Sequence, residues 1–235
     1  MKLANATVLI TGANRGLGLA FAREALARGA RKVYAAARDP SSVTLPGVVP
    51  IQLDVTKPED IAAAARDYPD VTLLINNAGI AATGGFLSDS SVASAQTHFD
   101  TNVFGPLRLT QAFAPVLAAH GGGAILNVLS IASWINGPLL GVYGMSKSAA
   151  WAMTNGTRIE LHDQHTQVLA LHVGFIDTDL TRGLDVPKLA PEDVVRTALD
   201  ALEAGASEVL ADEVTRQVHA GLSANPAVYL QALDR

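Results

Sequence analysis

The amino-acid sequence predicts an α/β fold: a doubly wound parallel sheet with helices on both faces, in one domain spanning residues 1–235. Three observations carry this. Short apolar runs alternate with longer Ala-rich stretches of helical period. The runs are continuously apolar rather than alternating, as in strands covered on both faces. No linker, charge block, low-complexity tract or internal repeat divides the 235 residues, a length that an α/β sheet domain reaches.

The elements follow in order. Residues 6–10 (ATVLI) read as the first strand, and Gly16 to Arg28 as a helix with an apolar face at Leu17, Ala20, Phe21 and Ala25. Strands follow at 32–37 and 48–53. Pro58 suits a first helical turn and opens a helix to about Arg66. The fourth strand is 71–75, followed by one long helical stretch over 91–118. A strand at 124–129, a helix over 143–162 and a strand at 167–172 come next. Pro191 opens another helix to Glu203, and a short strand at 207–210 precedes a polar helix and tail. Repeated strand–helix–strand units imply right-handed crossovers and a single open sheet.

Composition narrows the function. Hydrophobic residues make up 49 % and aromatics only 5 %, so small side chains must pack helices closely on the sheet. The net charge of −5 disfavours nucleic acid as a partner. With no cysteine, disulfides, thiolate chemistry and sulfur-ligated zinc are excluded. The histidines (His98, His120, His162, His165, His172 and His219) show no metal-ligand spacing on one helix face, so no metal is expected. The first residues lack a signal-peptide pattern and no apolar run approaches membrane-span length, so a cytoplasmic protein is expected.

The first strand runs into Thr11-Gly12-Ala13-Asn14-Arg15-Gly16-Leu17-Gly18. Gly12 lets the chain turn sharply, while Gly16 and Gly18 remove side chains where backbone must approach a ligand and the sheet. The helix that starts there offers free N–H groups and a partial positive charge to a pyrophosphate. This is a Rossmann-like cradle, but its spacing is G-x-x-x-G-x-G rather than G-x-G-x-x-G.

With that spacing the chain resembles the short-chain dehydrogenase/reductase family, in particular NADP(H)-preferring carbonyl reductases. Further matches lie in the family's order: Asn76-Asn77-Ala78-Gly79 after the fourth strand, Asn102 in the long helix, Ser130 after the fifth strand, and the Tyr143-x-x-x-Lys147 pair. The matches run from residue 11 to about 178.

The resemblance implies most of the site. Asn14, Arg15, Leu17 and the three loop glycines would hold the cofactor, with Asp54 on its adenine and Val55 beside it. Asn76, Ala78 and Gly79 would line it, whereas Asn77 would lock neighbouring strands. Ala37 stands where NAD-preferring relatives carry Asp, and Arg38 follows, so Arg15 and Arg38 would grip the 2′-phosphate of NADP(H). Asp39 complicates this, because it could pair with Arg38 or reach the ribose. Tyr143 and Lys147 share a helix face one turn apart. A cation beside the phenol would lower its pKa for proton transfer, and Lys147 has donors for the nicotinamide ribose. Ser130 would orient the carbonyl, and Asn102 would hold a water leading from Lys147 to solvent.

After the sixth strand, Gly174, Phe175, Ile176 and Thr178 would meet the nicotinamide amide. Val173 replaces the family's proline there, which removes a fixed φ and with it some rigidity. Trp134, Ile135, Leu139, Leu140, Leu180, Leu184 and Val186 suggest an apolar substrate pocket. The expected activity is reversible hydride transfer between NADP(H) and a small carbonyl/alcohol pair. The alternative is a non-catalytic dinucleotide sensor, although a sensor needs only the cradle. Apolar residues on the outer faces of the two long helices (Ala95, Phe99, Val103, Leu107, Ala149, Met153 and Ile159) imply a homodimer or homotetramer.

Overall fold

Seven parallel strands form one sheet in the computed structural model, which describes residues 1–230. The strands are β1 (Thr7–Thr11), β2 (Lys32–Ala37), β3 (Val49–Gln52), β4 (Leu73–Asn76), β5 (Ala124–Val128), β6 (Gln167–His172) and β7 (Glu208–Leu210), in spatial order β3-β2-β1-β4-β5-β6-β7. The helices are α1 (Gly16–Ala27), α2 (Pro58–Asp67), α3 (Ser91–Phe99), α4 (Gly105–Ala119), α5 (Gly141–Glu160), α6 (Pro191–Glu203) and α7 (Glu213–Gly221).

Strand alternation divides the core into two layers. Val8 and Ile10 of β1 and Leu73 and Ile75 of β4 pack with Phe21 of α1 and Leu199 of α6. Leu9 and Leu74, between them in sequence, face the other way onto Ile61 of α2 and Phe113 of α4. Both faces are thus sealed, which is why most central-strand positions are apolar and the polar ones, Thr7, Thr11, Asn76, Asn127 and His172, are themselves buried. β3 is different: Val49, Pro50 and Gln52 are exposed and only Ile51 is buried. It is an edge strand, where a proline without an N–H is tolerated, and the expected 48–53 run is trimmed accordingly.

The strand order reverses between β1 and β4. At such a switch point the loops leaving the carboxyl ends diverge and open a ligand crevice.

The helix expected over 91–118 is not uniform. Between α3 and α4 lies a π-helical turn, Asp100–Phe104, in which the Gly105 N–H bonds the Asp100 carbonyl. Pro106 explains the widening. It has no N–H to offer Asn102, four residues earlier, so the α-helical ladder cannot continue through that carbonyl. The helix expected from residue 143 begins earlier, at Gly141, and carries Tyr143 in its first turn.

Candidate active site

Three of the glycines in the β1–α1 loop are there for different reasons. Gly12 and Gly16 have φ of +64° and +52°, a left-handed region that costs side-chain-bearing residues. Gly18 has an ordinary φ, but a Cβ there would lie 2.2 Å from the Gly12 carbonyl oxygen. The α1 N-terminus has no side-chain cap, so its leading N–H groups are left for an acceptor that the protein does not supply. These features fit a bound pyrophosphate. Asn14 is half-buried beside this turn, and Leu17 is buried in the core.

Thr11 and Asn77 hold the loop. The Thr11 hydroxyl accepts from the N–H groups of Asn77 and Ala78, both at 3.0 Å. Asn77 Nδ2 donates back to the Thr11 and Gly12 carbonyls at 2.8 and 3.2 Å. Asn76 departs from expectation. Its buried side chain donates to Asn127 at 2.8 Å, within the β4–β5 layer, so any part it takes in the crevice falls to its main chain. Gly79, by contrast, is exposed, and a Cβ on it would lie 3.9 Å from Lys147 Nζ.

At the end of β2 the ambiguity over Asp39 disappears. Its carboxylate caps the turn Pro40–Ser42 by accepting from the Ser41 N–H at 2.9 Å and hydroxyl at 2.7 Å. These bonds hold its pKa below the ordinary value. Arg38 is exposed and makes no ion pair among the described residues. Arg15 is engaged, at 3.0 Å, with Asp179. Asp54 accepts from the Thr56 N–H and hydroxyl. Burial pushes its pKa up, but those bonds, with Arg38 and Lys57 nearby, bring it below the usual carboxylate value. Val55 is buried next to it.

The residues expected to transfer the proton sit where β5 and α5 meet. Ser130 is buried and its hydroxyl accepts from the Ala132 N–H at 3.1 Å, capping the turn Ile131–Ser133. Tyr143 is half-buried, and Lys147 Nζ lies 5.8 Å from its ring centroid. Burial raises the Tyr143 pKa and the Ser130 hydroxyl draws it back only in part. Lys147, expected to lower the phenol's pKa, does not outweigh that burial in the protein by itself. The ammonium stands over the ring and donates to the Val128 carbonyl at 2.8 Å, leaving desolvation in control.

Lys147 is itself depressed to about 8 by burial. Its charged form therefore weakens the fold below pH 8, and the penalty fades as pH rises from about 8 toward the unfolded value of 10.5. At 1.36 kcal/mol per pKa unit the full penalty is on the order of 3 kcal/mol. Lys147→Met removes it, so the melting temperature of wild type relative to this variant is expected to rise by roughly 5 °C between about pH 7 and pH 9.5. Paired thermal melts across that range check this; a constant difference would show that the ammonium pays no burial cost.

Asn102 lies in the π turn. Its Oδ1 accepts from the Ile80 N–H at 2.9 Å, and Nδ2 donates to the Ile80 carbonyl and Ser146 Oγ, both at 3.0 Å. Ser146 in turn donates to the Tyr143 carbonyl at 2.7 Å. Sequence reading missed Ser146, which ties the Asn102 side chain to the turn bearing Tyr143. With both amide hydrogens taken, the Asn102 side chain has none left to donate to a water.

The loop after β6 was expected to lose rigidity through Val173. Instead, buried Asp212, before α7, accepts from the Gly174 N–H at 2.8 Å. The same carboxylate accepts from the Thr215 N–H and hydroxyl. Phe175 and Ile176 follow, and the Phe175 carbonyl accepts from the Leu189 N–H at 2.9 Å. Thr178 begins the turn Asp179–Thr181 in a capping box. Asp212 lies 38 residues from Gly174 and carried no signal in the sequence. Trp134, expected at the substrate pocket, is half-buried and stacked on buried His172 with centroids 4.0 Å apart. Leu139 and Leu180 are exposed. No cluster of three His, Asp or Glu able to hold a metal occurs among the described residues, nor does a helix long and apolar enough to cross a membrane.

A doubly wound sheet with a capless helix and a glycine turn at its switch point, together with the Ser130–Tyr143–Lys147 group, defines a dinucleotide-binding oxidoreductase architecture. The short chain dehydrogenase family model matches residues 6–187, and the chain belongs to that family. It is 31 % identical to an NADP-dependent 3-hydroxy acid dehydrogenase of Schizosaccharomyces pombe, over 94 % of this chain and 95 % of that one. It is 30 % identical to the ketoacyl reductase HetN of Nostoc, over 90 % and 80 % respectively. A Burkholderia cenocepacia short chain dehydrogenase solved in complex with NADP superposes with a TM-score of 0.92, at 38 % identity, over 96 % of each chain.

Proposed function

We propose that the protein is an NADP(H)-dependent carbonyl reductase, reversible to alcohol oxidation, with Tyr143 as the acid/base. The observation that carries this is the half-buried Tyr143 with buried Ser130 nearby and buried Lys147 Nζ 5.8 Å from its ring centroid. Bound at the glycine turn, NADP(H) supplies or takes up the hydride. Gly12, Asn14, Gly16, Leu17 and Gly18 form its pyrophosphate turn. Arg15 and Arg38 hold the 2′-phosphate, Asp54 and Val55 the adenine, and Ala78 and Gly79 line the crevice. Gly174, Phe175, Ile176 and Thr178 face the carboxamide end.

Ser130 donates to the substrate carbonyl and sets its angle, and Tyr143 O–H gives up its proton as negative charge develops on that oxygen. Lys147, cationic below pH 8, steadies the resulting phenolate and grips the ribose hydroxyls. Proton resupply runs through a water on the main-chain carbonyl of Asn102, which Pro106 leaves without an α-helical donor. The relatives named above favour the 2′-phosphorylated cofactor and a carbonyl-bearing acid or acyl substrate. A panel of aldehydes, ketones, 3-keto esters and the matching alcohols, assayed by nicotinamide absorbance with each cofactor, tests the reading. Reduction with NADPH is expected, and no turnover with any member would favour a dinucleotide sensor.

The same reading includes self-association as a homodimer or homotetramer. Val92, Phe104 and Ile159 are exposed on α3, the π turn and α5, and Val92, Ala95, Phe99 and Phe104 line a shallow apolar groove. Val103, expected to face outward with them, is buried against Leu129 and Ala150. Isologous pairing of two copies would cover the groove. Light scattering over a dilution series is expected to give a dimer or tetramer mass, and a monomer mass at micromolar protein would refute it.

A further inference from the structure

His172 ends β6 with no exposed surface, after a run of buried Val168, Leu169, Ala170 and Leu171. Burying an imidazole there is costly unless its nitrogens are used. Nδ1 lies 3.2 Å from the main-chain carbonyl oxygen of Ser130. A carbonyl only accepts, so Nδ1 carries the hydrogen and donates. On the far side Nε2 lies 3.3 Å from Glu208 Oε1 of β7 without a well-aligned hydrogen bond; a carboxylate only accepts, so Glu208 holds the ring when Nε2 also carries a hydrogen. The Glu208 carboxyl lies below its ordinary pKa, drawn down first by His172, with His219 and Arg158 adding to the effect against burial.

The ring plane is fixed as well. Trp134 stacks on it at 4.0 Å and 19°, and Trp151 of α5 meets it edge-on at 6.4 Å. Trp134 ends the turn Ile131–Ser133 that Ser130 begins. His172 therefore touches both ends of the turn carrying the serine. The Val173 carbonyl, accepting from the Ile131 N–H at 3.0 Å, is a second hook from the same strand end.

We propose that His172 is a positioning residue for the reaction: from β6 it fixes the main chain of Ser130, and so the aim of the serine hydroxyl at the substrate carbonyl and Tyr143, with Glu208 as its outer anchor. This rests on the reading of Ser130 as the carbonyl-orienting group. Groups that orient a reacting centre must be held closely, because a displacement near 1 Å can cost about 100-fold in rate.

Three variants of the full chain separate positioning from packing. His172→Phe keeps the ring and its stacking but has no donor. His172→Asn keeps a donor at the reach of Nδ1 but loses the stacking. Glu208→Gln keeps the shape of the anchor and removes its charge. The measurements are kcat and KM with saturating NADPH and 4-nitrobenzaldehyde, or whichever carbonyl of the panel is reduced fastest. NADPH Kd and apo-protein melting by tryptophan fluorescence are measured alongside. His172→Phe is expected to melt at or above His172→Asn, yet to lose about 10- to 100-fold in kcat with NADPH Kd unchanged. His172→Asn is expected to recover most of that kcat.

The two orders, melting and turnover, then cross. If kcat simply follows melting temperature, or His172→Phe turns over like wild type, the proposal is overturned. Should His172→Phe not fold, Glu208→Gln decides: a clear fall in kcat at unchanged NADPH Kd supports the anchor, and an unchanged kcat overturns it. Tyr143→Phe is run in parallel. Wild-type turnover there would mean that the reading of the whole site has failed, whereas an inactive Tyr143→Phe beside an unimpaired His172→Phe removes only the positioning role.

Discussion

Tyr143→Phe is expected to lower kcat by about 10²–10⁴-fold, the usual worth of a general acid–base group, while the Kd for NADPH stays essentially unchanged. The substitution deletes one oxygen from a half-buried ring and leaves volume, helix and cofactor turn in place. Its raised pKa penalises only the phenolate, so at neutral pH the variant should lose little stability beyond the Ser130 hydrogen bond. Separate measurement of kcat by nicotinamide absorbance and of Kd by fluorescence checks this. Turnover within a few-fold of wild type would assign the proton to another group. Equal loss of binding and turnover would mean that the ring supports the cofactor rather than the chemistry.

Arg38→Ala is expected to weaken NADPH by on the order of 1.5–3 kcal/mol, the worth of a hydrogen bond to a charged group, which is about 10- to 100-fold in Kd. NADH should change little. Arg38 is the stronger candidate because it is exposed and makes no ion pair among the described residues, so its guanidinium is available. Arg15 must first release Asp179. That pair is exposed and worth at most about 1 kcal/mol, so Arg15→Ala should show the same preference with a smaller loss. Titration of each variant with both cofactors checks the order, and equal weakening of NADPH and NADH would show that neither arginine reads the phosphate.

The candidate proton-transfer group was legible because its residues stand in the order and spacing of the family the chain resembles. Tyr143 and Lys147 are one helical turn apart, and Ser130 closes the preceding strand. What Lys147 does to the phenol was not legible. That depends on where Nζ points, and it points at the Val128 carbonyl. A helical spacing places two side chains on one face without deciding which acceptor each one reaches. Asp39 was ambiguous for the same reason, and a bond to Ser41 only two residues away settled it.

By itself the sequence determined the parallel sheet, the order of the strands and helices, the glycine turn and the Ser–Tyr–Lys group. The sheet and the turn are set by periodicity and φ requirements, which chain order records directly, whereas the Ser–Tyr–Lys group was read from its resemblance to the family's order and spacing. Only the tertiary structure decided which side chains support that group. Asn76 turns to Asn127, Asp212 restrains Gly174, Ser146 ties Asn102 to the Tyr143 turn, and His172 meets Ser130 across 42 residues. The physical reason is that a buried polar atom must find a partner wherever packing brings one within reach. Sheet order brings β5, β6 and β7 side by side, and that adjacency is absent from the linear chain.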